Sequence, residues 1–413
     1  MKKKLIILIF FITACLFSIW TWILTAPNLV LSSHQFYWTI QTFLWDNLYA
    51  NRAFISYAYF ILIVILFLVY FFLVKKNFFT VKKTFLLTFI LFFSPLLFSY
   101  NALSYDVFNY LFNAKMVINY HANPHVKVAL DYPDDAWVRF MHNTHTSAPY
   151  GYGWTMVSLL PFIVFSGKFT LTWYSFRLLN LTLLFLCLYI MMQWQKKIYH
   201  HINYQSLSLF FFNPLVLIEV ITNFHNDLWM MLPVLLSLYL LYPSKDSPMS
   251  KSQFLFSLIL FLFSLSIKYA SIALLPAWIF LAYLSNENKI LGLIKLQASP
   301  KINFCTSLIK KYFFDICAFL MFLPLLTFRS QLFHPWYLLW SLVFIPFVGR
   351  YTRTLLLIFS FSSMLRYLPY LWENGYHSHT VFTQQLITFV PAIIYLIILT
   401  FVHYNKHHAK TTR

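Results

Sequence analysis

Residues 53–74 read AFISYAYFILIVILFLVYFFLV, a run without a charged side chain. An apolar run of this length suits an α-helix that crosses a hydrocarbon core of ~30 Å. Similar runs recur along the 413-residue chain, in which 60% of the residues are hydrophobic and 10% are charged. The runs are continuously apolar, which excludes the alternating strands of a closed barrel and leaves helices as the structure that satisfies its own backbone in lipid. The sequence therefore predicts an all-α, polytopic helical membrane protein.

The positions of the apolar runs predict about 12–13 transmembrane helices. With the N-terminal lysines in the cytoplasm, the cytoplasmic segments contain 21 of the 30 Lys and Arg residues. This asymmetry follows the positive-inside rule, so the formal charge of +19 is explained without a nucleic-acid partner. We expect a multi-pass protein of the cell (inner or plasma) membrane with both termini in the cytoplasm. The twelve principal crossings are residues 5–25, 53–74, 84–100, 172–194, 206–222, 228–243, 254–267, 270–284, 312–328, 336–348, 353–368 and 384–403.

Residues 154–166 form a further apolar run, which disturbs the parity of these crossings. If the run spans the membrane fully, Lys196 and Lys197 move to the outer side, against the charge rule. We interpret the run as a re-entrant segment or as a short helix packed within the protein. A full crossing is the alternative that the sequence leaves open.

The longest polar interval runs from Asn101 to Tyr150 and follows the predicted crossing at residues 84–100. Asp106 stands near its start, at the membrane–water boundary, where partial desolvation and nearby bases tune a carboxylate for proton transfer. We interpret this large first outer loop as one wall of an active site. The alternative is that Asp106 only caps a helix or pairs with Lys115. The loop holds four of the eleven acidic residues, Asp106, Asp131, Asp134 and Asp135.

The chain contains no glycine-rich nucleotide-binding motif, no internal repeat and no low-complexity tract. Its four cysteines show no CxxC spacing, so neither a disulfide framework nor a zinc site is indicated. We therefore expect one membrane domain with functional loops. Its predicted segments are an N-terminal two-span extension with a cytoplasmic turn (1–84), a catalytic transmembrane module that includes the outer loop 101–150 (85–284), a basic cytoplasmic linker (285–311) and a C-terminal four-span group (312–413).

Several polar residues that are unusual in an apolar chain fall near the same predicted outer face as Asp106. Glu219 lies within a predicted crossing, where an ionisable group is costly and usually marks function or a specific partner. The same argument applies to Lys268, although a lysine also snorkels toward an interface. The sequence thus predicts an extracytoplasmic site. The alternative is that individual candidate residues only belong to a polar helix terminus or to an aromatic belt at the membrane interface. The candidate residues are Asp106, Glu219, Asn223, His225, Asn226, Asp227, Lys268, Arg329 and His334.

Six short segments carry a resemblance to a known family. In chain order they are SYDVFNYLF (104–112), Asn123-Pro124, SAPYGYGW (147–154), FFNPLVLIEVITNFHNDLW (211–229), SIKYASIALLP (266–276) and FHPWYLLW (333–340). Together they resemble the polyprenol-phosphate-mannose-dependent α-(1,6)-mannosyltransferases of the GT-C superfamily of membrane glycosyltransferases. The resemblance covers roughly residues 85–345, and NPLVLIE followed by HND is its most specific part.

The resemblance implies a GT-C-like fold and an enzyme that uses no nucleotide sugar. Family members take a hexose, here most simply mannose, from a polyprenyl-phosphate carrier and join it to a glycan or glycolipid acceptor on the outer face of the membrane. The family's proposed general base is the acidic residue of the first long outer loop, which by position is Asp106. Asn109, Asn113 and Tyr152 depart from the usual pattern, which leaves the sugar and the acceptor open.

Glycosyl transfer from a phosphate requires a base for the acceptor hydroxyl and positive charge for the departing phosphate. In this interpretation Asp106 is the catalytic base. Lys268, with Arg329 and His334 as helpers, binds the donor phosphate. A single base without a nucleophile predicts inversion at the anomeric carbon. The predicted sugar- and acceptor-binding residues are Asn223, His225, Asn226, Asp227 and, from one helical turn below, Glu219.

This chemistry requires no cofactor, and a divalent metal is an open alternative. Asp134 and Asp135 are candidate ligands for magnesium or manganese, yet adjacent acidic residues in a loop are more often solvated. Two other function classes also remain open. A transporter or flippase would place its polar groups near the bilayer midplane, often in paired repeats. A lipid-linked polysaccharide polymerase or ligase would be expected to carry arginine-rich outer loops, whereas residues 101–150 contain only Arg139.

Overall fold

The structure, a computed structural model, describes residues 3–25, 32–243, 249–294, 300–326, 332–375 and 377–411. All regular structure in these ranges is helical and they contain no β-strand, so the predicted all-α class is confirmed. The α-helices in these ranges are α1 (Lys3–Ile23), α2 (Gln35–Leu44), α3 (Arg52–Lys75), α4 (Lys82–Phe93), α5 (Asp106–Asn119), α6 (Tyr152–Val164), α7 (Phe169–Tyr199), α8 (Tyr204–Phe211), α9 (Pro214–Leu217), α10 (Asp227–Leu241), α11 (Lys251–Ile267), α12 (Leu275–Ile294), α13 (Pro300–Lys311), α14 (Phe313–Leu320), α15 (Leu339–Leu342), α16 (Arg350–Leu365), α17 (Tyr367–Glu373) and α18 (Ser378–Thr411).

Five helical stretches in the described ranges are long and apolar enough to cross a membrane: α1, α3, α7, α16 continued by α17, and α18. A sixth candidate is the broken pair of Tyr204–Phe211 and Pro214–Thr222, which is bent by 55°. At a rise of about 1.5 Å per residue, the shorter apolar helices α6, α10 and α11 do not span a core of ~30 Å alone. The chain is a helical membrane protein, and the total number of its crossings stays a prediction.

Several predicted crossings differ from one continuous helix, and prolines explain two of these differences. Residues 206–222 break before Pro214, because proline cannot continue the hydrogen bonding of α8. Residues 336–348 start within a 3-10 turn, Pro335–Leu338, which is followed by the single turn of α15 and by further turns around Pro346. The predicted segment boundaries at residues 84, 284 and 311 stay predictions.

The apolar run at residues 154–166 forms the 13-residue helix α6. This helix packs against α5, α7 and α11 within the helical assembly. Its length of about 20 Å, at 1.5 Å per residue, is too short for a lone crossing. The geometry is that of a short helix packed within the protein, which is one of the two forms that the charge distribution favours.

The centre of the fold is the segment that carries the NPLVLIE and HND motifs. Every residue from Leu207 to Leu228 is buried. Helix α10, which follows the HND motif, packs along α11, α7, α12 and α15. Polar groups in such a segment must find partners inside the protein, because desolvation without a partner is costly. The partners found there define the candidate site.

The outer position of the loop 101–150 can be tested by cysteine labelling. Asp134 lies exposed in this loop, and Lys196 lies exposed near the end of α7. In a background whose four native cysteines are replaced by serine, we expect a membrane-impermeant maleimide to label Asp134→Cys in intact cells. We expect it to label Lys196→Cys only after the membrane is permeabilised, since the charge distribution puts this residue in the cytoplasm. The reverse pattern would contradict the predicted orientation.

Candidate active site

The NFHND segment is held in an unusual backbone conformation. A π-helical turn, Ile218–Thr222, follows α9 and carries Glu219. The amide of Asn223 donates to the carbonyl of Ile218 at 2.9 Å. The next residue, Phe224, has φ +60°, in the left-handed region that costs a residue other than glycine on the order of 1–3 kcal/mol. The surrounding structure must therefore hold this turn in place.

Three buried side chains bind the carbonyl groups that the π-helical turn leaves free. Arg177 also donates to the carbonyls of Leu97 and Ser99, and its guanidinium lies 4.5 Å from the ring centre of Phe224. Arg177 thus joins the chain that leads into α5 to the turn that carries His225. The three hydrogen bonds run from Asn180 to Val220 at 2.9 Å, from Arg177 to Ile221 at 3.2 Å and from Asn101 to Thr222 at 2.7 Å.

Asp106 begins α5 and faces aromatic hydroxyl groups. The hydroxyl of Tyr150 donates to Oδ2 of Asp106 at 2.7 Å, and the hydroxyl of Tyr110 donates to that of Tyr150 at 3.5 Å. Burial raises the pKa of the Asp106 carboxyl above its ordinary value, while the Tyr150 hydrogen bond and the charge of Lys268 act in the opposite direction. The predicted alternative of a pair with Lys115 does not form.

Lys115 instead contacts the second acidic cluster of the outer loop. Its Nζ lies 2.5 Å from Oδ2 of Asp135, and the hydroxyl of Tyr120 donates to the same oxygen at 2.6 Å. Asp135 is therefore engaged in a structural contact at the base of the loop. Within the described ranges, no group of three or more His, Cys, Asp or Glu side chains could hold a metal ion, and the pair formed with Asp134 gains no further acidic or imidazole ligand.

His225 lies between two carboxyl groups and is fully buried. Its Nδ1 is 3.6 Å from Oδ2 of Asp106, and its Nε2 is 3.4 Å from Oε2 of Glu219. Glu219 accepts further hydrogen bonds from Asn223 at 2.8 Å and from the hydroxyl of Tyr367 at 3.0 Å. Burial lowers the pKa of His225 well below its ordinary value, and neighbouring positive charge on Lys268 adds to this effect. The imidazole is therefore neutral at physiological pH.

Partly buried Lys268 and fully buried Asp227 form an ion pair among three aromatic rings. The ammonium donates to Oδ1 of Asp227 at 2.7 Å, and the indole of Trp340 donates to the same oxygen at 2.5 Å. The ring centres of Tyr150, Tyr337 and Trp340 lie 5.1–5.4 Å from the ammonium. The carboxylate and the faces of the three rings therefore hold the ammonium in one position.

A glycine places Tyr150 beside Lys268. The amide of Gly151 donates to the carbonyl of Ile267 at 3.0 Å, which joins the start of α6 to the end of α11. A Cβ at residue 151 would lie 2.0 Å from the carbonyl oxygen of Ser266, so no larger residue fits this contact. The glycine of the SAPYGYGW motif is therefore required by close backbone approach.

His334 takes part in an aromatic stack that reaches His225. Its ring stacks on Trp336 with 4.3 Å between centres, and Trp336 stacks on His225 at 3.8 Å. Burial, with the charges of Arg366 and Lys268, lowers the pKa of His334 to about 3. A neutral imidazole donates one hydrogen bond but carries no charge for a phosphate. The other predicted helper, Arg329, lies outside the described residues.

Two cavities meet at the site. One, the polar cavity, has the more polar lining of the two and a volume of about 430 Å³, and the other, the apolar cavity, has a volume of about 530 Å³. Asp106, His334 and Arg366 line the polar cavity, and Lys268 lines the apolar one. Tyr150 and Tyr337 belong to the walls of both cavities. The predicted base and the predicted phosphate ligand thus face neighbouring compartments that share a boundary.

The predicted sugar- and acceptor-binding residues do not line these two cavities. They are fully buried directly behind the walls, so their role toward hydroxyl groups stays a prediction. Side chains of Asn226 and Asp227 keep atoms without hydrogen-bond partners within the described structure: both side-chain polar atoms of Asn226, and Oδ2 of Asp227. The buried residues are Glu219, Asn223, His225, Asn226 and Asp227.

Sequence reasoning missed Arg366, Arg177 and Tyr150 as members or supports of the site. Both arginines lie in apolar stretches, where a charged side chain is costly. The argument that identified Lys268 as a candidate site residue would therefore have identified both arginines as well. Tyr150 lies in the SAPYGYGW motif, but a tyrosine in a loop carries no signal for a hydrogen bond to a carboxylate 44 residues away.

Comparison with known families bears directly on this arrangement. The family model described as alpha-(1->6)-mannopyranosyltransferase, N-terminal domain, matches residues 30–284. The match covers more than half of the chain and includes Asp106, His225 and Lys268.

The chain belongs to this family. The resemblance to α-(1,6)-mannosyltransferases is therefore confirmed, and this member of the mannosyltransferase family is a membrane glycosyltransferase. Its sugar donor and glycan acceptor follow from that class of activity. No curated protein and no solved structure matches the chain.

The support that Arg177 gives to the mannosyltransferase site can be measured. We expect Arg177→Met to lower the free energy of unfolding by about 3 kcal/mol, since three buried carbonyl groups lose their donor at about 1 kcal/mol each. The measurement is the melting temperature of the purified protein in detergent. The matched control is Arg350→Met, because Arg350 is exposed. Equal melting temperatures for the two variants would remove Arg177 from this role.

Proposed function

We propose that this mannosyltransferase moves mannose from a polyprenyl-phosphate carrier to a hydroxyl group of a glycan or glycolipid acceptor at the outer face of the membrane. The observation that carries the proposal is the junction of the two cavities at Tyr150 and Tyr337. A carboxylate faces one side of this junction and an ammonium faces the other. A lipid-linked phosphate donor and a polar acceptor need this division.

The apolar cavity suits the lipid carrier. Its lining includes Ile272, Leu323 and Pro324, and burial of an isoprenoid chain against such surfaces contributes about 0.8 kcal/mol per CH₂ group. Lys268 is the charged residue of this lining. A phosphate placed beside it would meet an ammonium already ordered by Asp227 and by aromatic rings. The ammonium stabilises the charge that develops on the departing phosphate.

The polar cavity suits the acceptor. Asp106 lies in its wall with Tyr150 bound to Oδ2, so Oδ1 is the oxygen left to accept the proton of an acceptor hydroxyl. Its volume of about 430 Å³ falls in the range of about 300–1,000 Å³ that is usual for small-molecule sites. In this arrangement Asp106 is the general base, a role that typically contributes about 10²–10⁴-fold to the rate.

The carboxyl groups near the junction support a single displacement. Asp227 is paired with Lys268, and Glu219 is buried behind the ring of His225. Both are fully buried, whereas about 20% of the Asp106 side chain is exposed. One carboxylate is thus open to the acceptor, and no second one is in position to attack the sugar within the described ranges. Direct attack by the acceptor inverts the anomeric carbon.

The proposed activity is tested with the purified protein in nanodiscs. The substrates are radiolabelled polyprenyl-phosphate mannose, polyprenyl-phosphate glucose and a nucleotide-linked mannose, each offered with candidate glycan and glycolipid acceptors. We expect transfer from the lipid-linked mannose and none from the nucleotide sugar. The anomeric configuration of the product, read by NMR, should be opposite to that of the donor. Transfer from the nucleotide sugar alone would refute the proposed donor.

Asp106 and Lys268 should differ in the step that each supports. We expect Asp106→Asn to lower kcat at least about 100-fold with little change in the KM for the donor, because the amide cannot take a proton. We expect Lys268→Met to raise the KM for the donor and to lower kcat as well, because the phosphate loses its counter-charge. Steady-state kinetics with both substrates varied provide the measurement. An active Asp106→Asn variant would rule out the base.

Tyr150 should set the pH at which Asp106 becomes active. The hydrogen bond from Tyr150 stabilises the carboxylate and so lowers the pKa of Asp106, against the effect of burial. Tyr150→Phe should therefore raise this pKa and move the acidic limb of kcat/KM to higher pH. The pH–rate profile of the variant is compared with that of Tyr132→Phe, a tyrosine of the same loop outside both cavities. A limb that stays in place, or moves to lower pH, would contradict the contact.

A further inference from the structure

Behind Asp106 lies a row of groups that the proposed reaction does not yet use. The row runs from Oδ2 of Asp106 to Nδ1 of His225 at 3.6 Å, and from Nε2 of His225 to Oε2 of Glu219 at 3.4 Å. Both ring nitrogens therefore face a carboxyl group. Glu219 and His225 are fully buried, so bulk water does not compete for either contact.

We infer that His225 and Glu219 form a proton relay that takes the acceptor proton onward from Asp106. The inference rests on the proposed function and adds a role for two residues that lie behind the cavity wall. Neither residue touches the substrates in this arrangement, and both act through Asp106.

The relay moves one proton and balances its charges. Before the reaction His225 carries its proton on Nε2, toward the Glu219 carboxylate, and its Nδ1 lone pair faces Asp106. As the acceptor oxygen bonds to the anomeric carbon, the bond from that carbon to the phosphate oxygen breaks and the phosphate leaves with the electron pair. The acceptor proton passes to Oδ1 of Asp106. The carboxyl group then turns about its Cβ–Cγ bond and gives this proton to Nδ1, while Nε2 gives its proton to Glu219.

The net result is that the proton rests on Glu219 and Asp106 is again a carboxylate. The proton returns along the same row and leaves through Asp106 once the product has departed. Buried groups that exchange a proton in this way avoid a free charge in surroundings of low dielectric. The relay thus regenerates the base without opening the site to water.

The ring of His225 is fixed in the orientation that the relay needs. Trp336 stacks on the imidazole with 3.8 Å between centres and 16° between planes. The backbone amide of His225 donates to the carbonyl of Glu219 at 3.1 Å, which ties the two residues together. Neither ring nitrogen has a hydrogen-bond partner among the described residues, so each contact must shorten by several tenths of an ångström for a proton to pass.

The carboxylate of Glu219 has two further hydrogen-bond donors. Asn223 donates to Oε2 at 2.8 Å and Tyr367 donates to Oε1 at 3.0 Å. These donors offset part of the cost of ionising a fully buried carboxyl group, which burial and the carboxylates of Asp227 and Asp106 oppose. The other titratable or charged groups that face the three members of the row are Tyr59, Tyr110, Tyr150, Asp227, Lys268, His334 and Tyr367.

The kinetic test uses Glu219→Gln, which keeps the shape and the contact with His225 but cannot accept a proton. We expect kcat to fall about 10- to 100-fold with the KM of both substrates unchanged within about twofold. We also expect a change in the plot of kcat against the fraction of D₂O in the solvent. A curved plot is typical of several moving protons, and the variant should give a straight line. The control is Tyr367→Phe, which removes one hydrogen bond to Glu219 but retains the carboxylate and should keep the curved plot. Wild-type kcat and a curved plot in Glu219→Gln would overturn the relay.

A second measurement decides the relay without turnover. The carboxyl bands in pH-difference infrared spectra report the titration of Glu219, identified as the band lost in Glu219→Gln. Asp106 also acts on Glu219 through its charge, so the comparison uses two backgrounds. We expect Asp106→Asn to shift the midpoint of this band more in the wild type than in His225→Phe, where only the Coulomb effect is left. Equal shifts in the two backgrounds would overturn the relay. If the wild type transfers mannose from none of the lipid-linked donors, the proposed function is wrong. The relay is still tested in that case, because the midpoint of the Glu219 band is measured without substrate.

Discussion

The buried guanidinium of Arg177 is the contact on which the site depends. It binds backbone carbonyls from two parts of the chain, the approach to α5 and the end of the π-helical turn. These segments carry Asp106 and His225, which are 119 residues apart in the sequence and 3.6 Å apart in the site. Carbonyl groups in a buried segment need donors, and one side chain supplies several of them at once. The hydrogen bonds of Arg177 thereby hold the segment that carries Asp106 next to the segment that carries His225.

Much of the architecture was readable from the sequence because membranes impose strict rules. Continuous apolar runs predicted helices, and the lysines at their ends predicted orientation. The cost of a charge in an apolar run singled out Glu219 and Lys268. Lys268 lines the apolar cavity, and Glu219 lies behind the cavity walls beside His225. The position of Asp106 after an apolar run indicated a carboxylate at the boundary, and the structure places it in a cavity wall.

The parts that escaped sequence reasoning depend on contacts between distant segments. The π-helical turn and the left-handed Phe224 exist because Asn101, Arg177 and Asn180 converge on them, and no local pattern encodes that convergence. Prolines broke two predicted crossings whose hydropathy alone suggested unbroken helices. The two cavities lie between segments that are distant in the sequence. Hydropathy and short motifs therefore could not predict that the site has two compartments.

The shared boundary of Tyr150 and Tyr337 has a consequence for substrate selection. Both rings belong to the linings of the two compartments, while Lys268 belongs to one lining and Asp106 to the other. In the proposed reaction the donor and the acceptor are therefore selected by different sets of side chains. A substitution in one lining changes the choice of one substrate, whereas a substitution at either shared tyrosine acts on both.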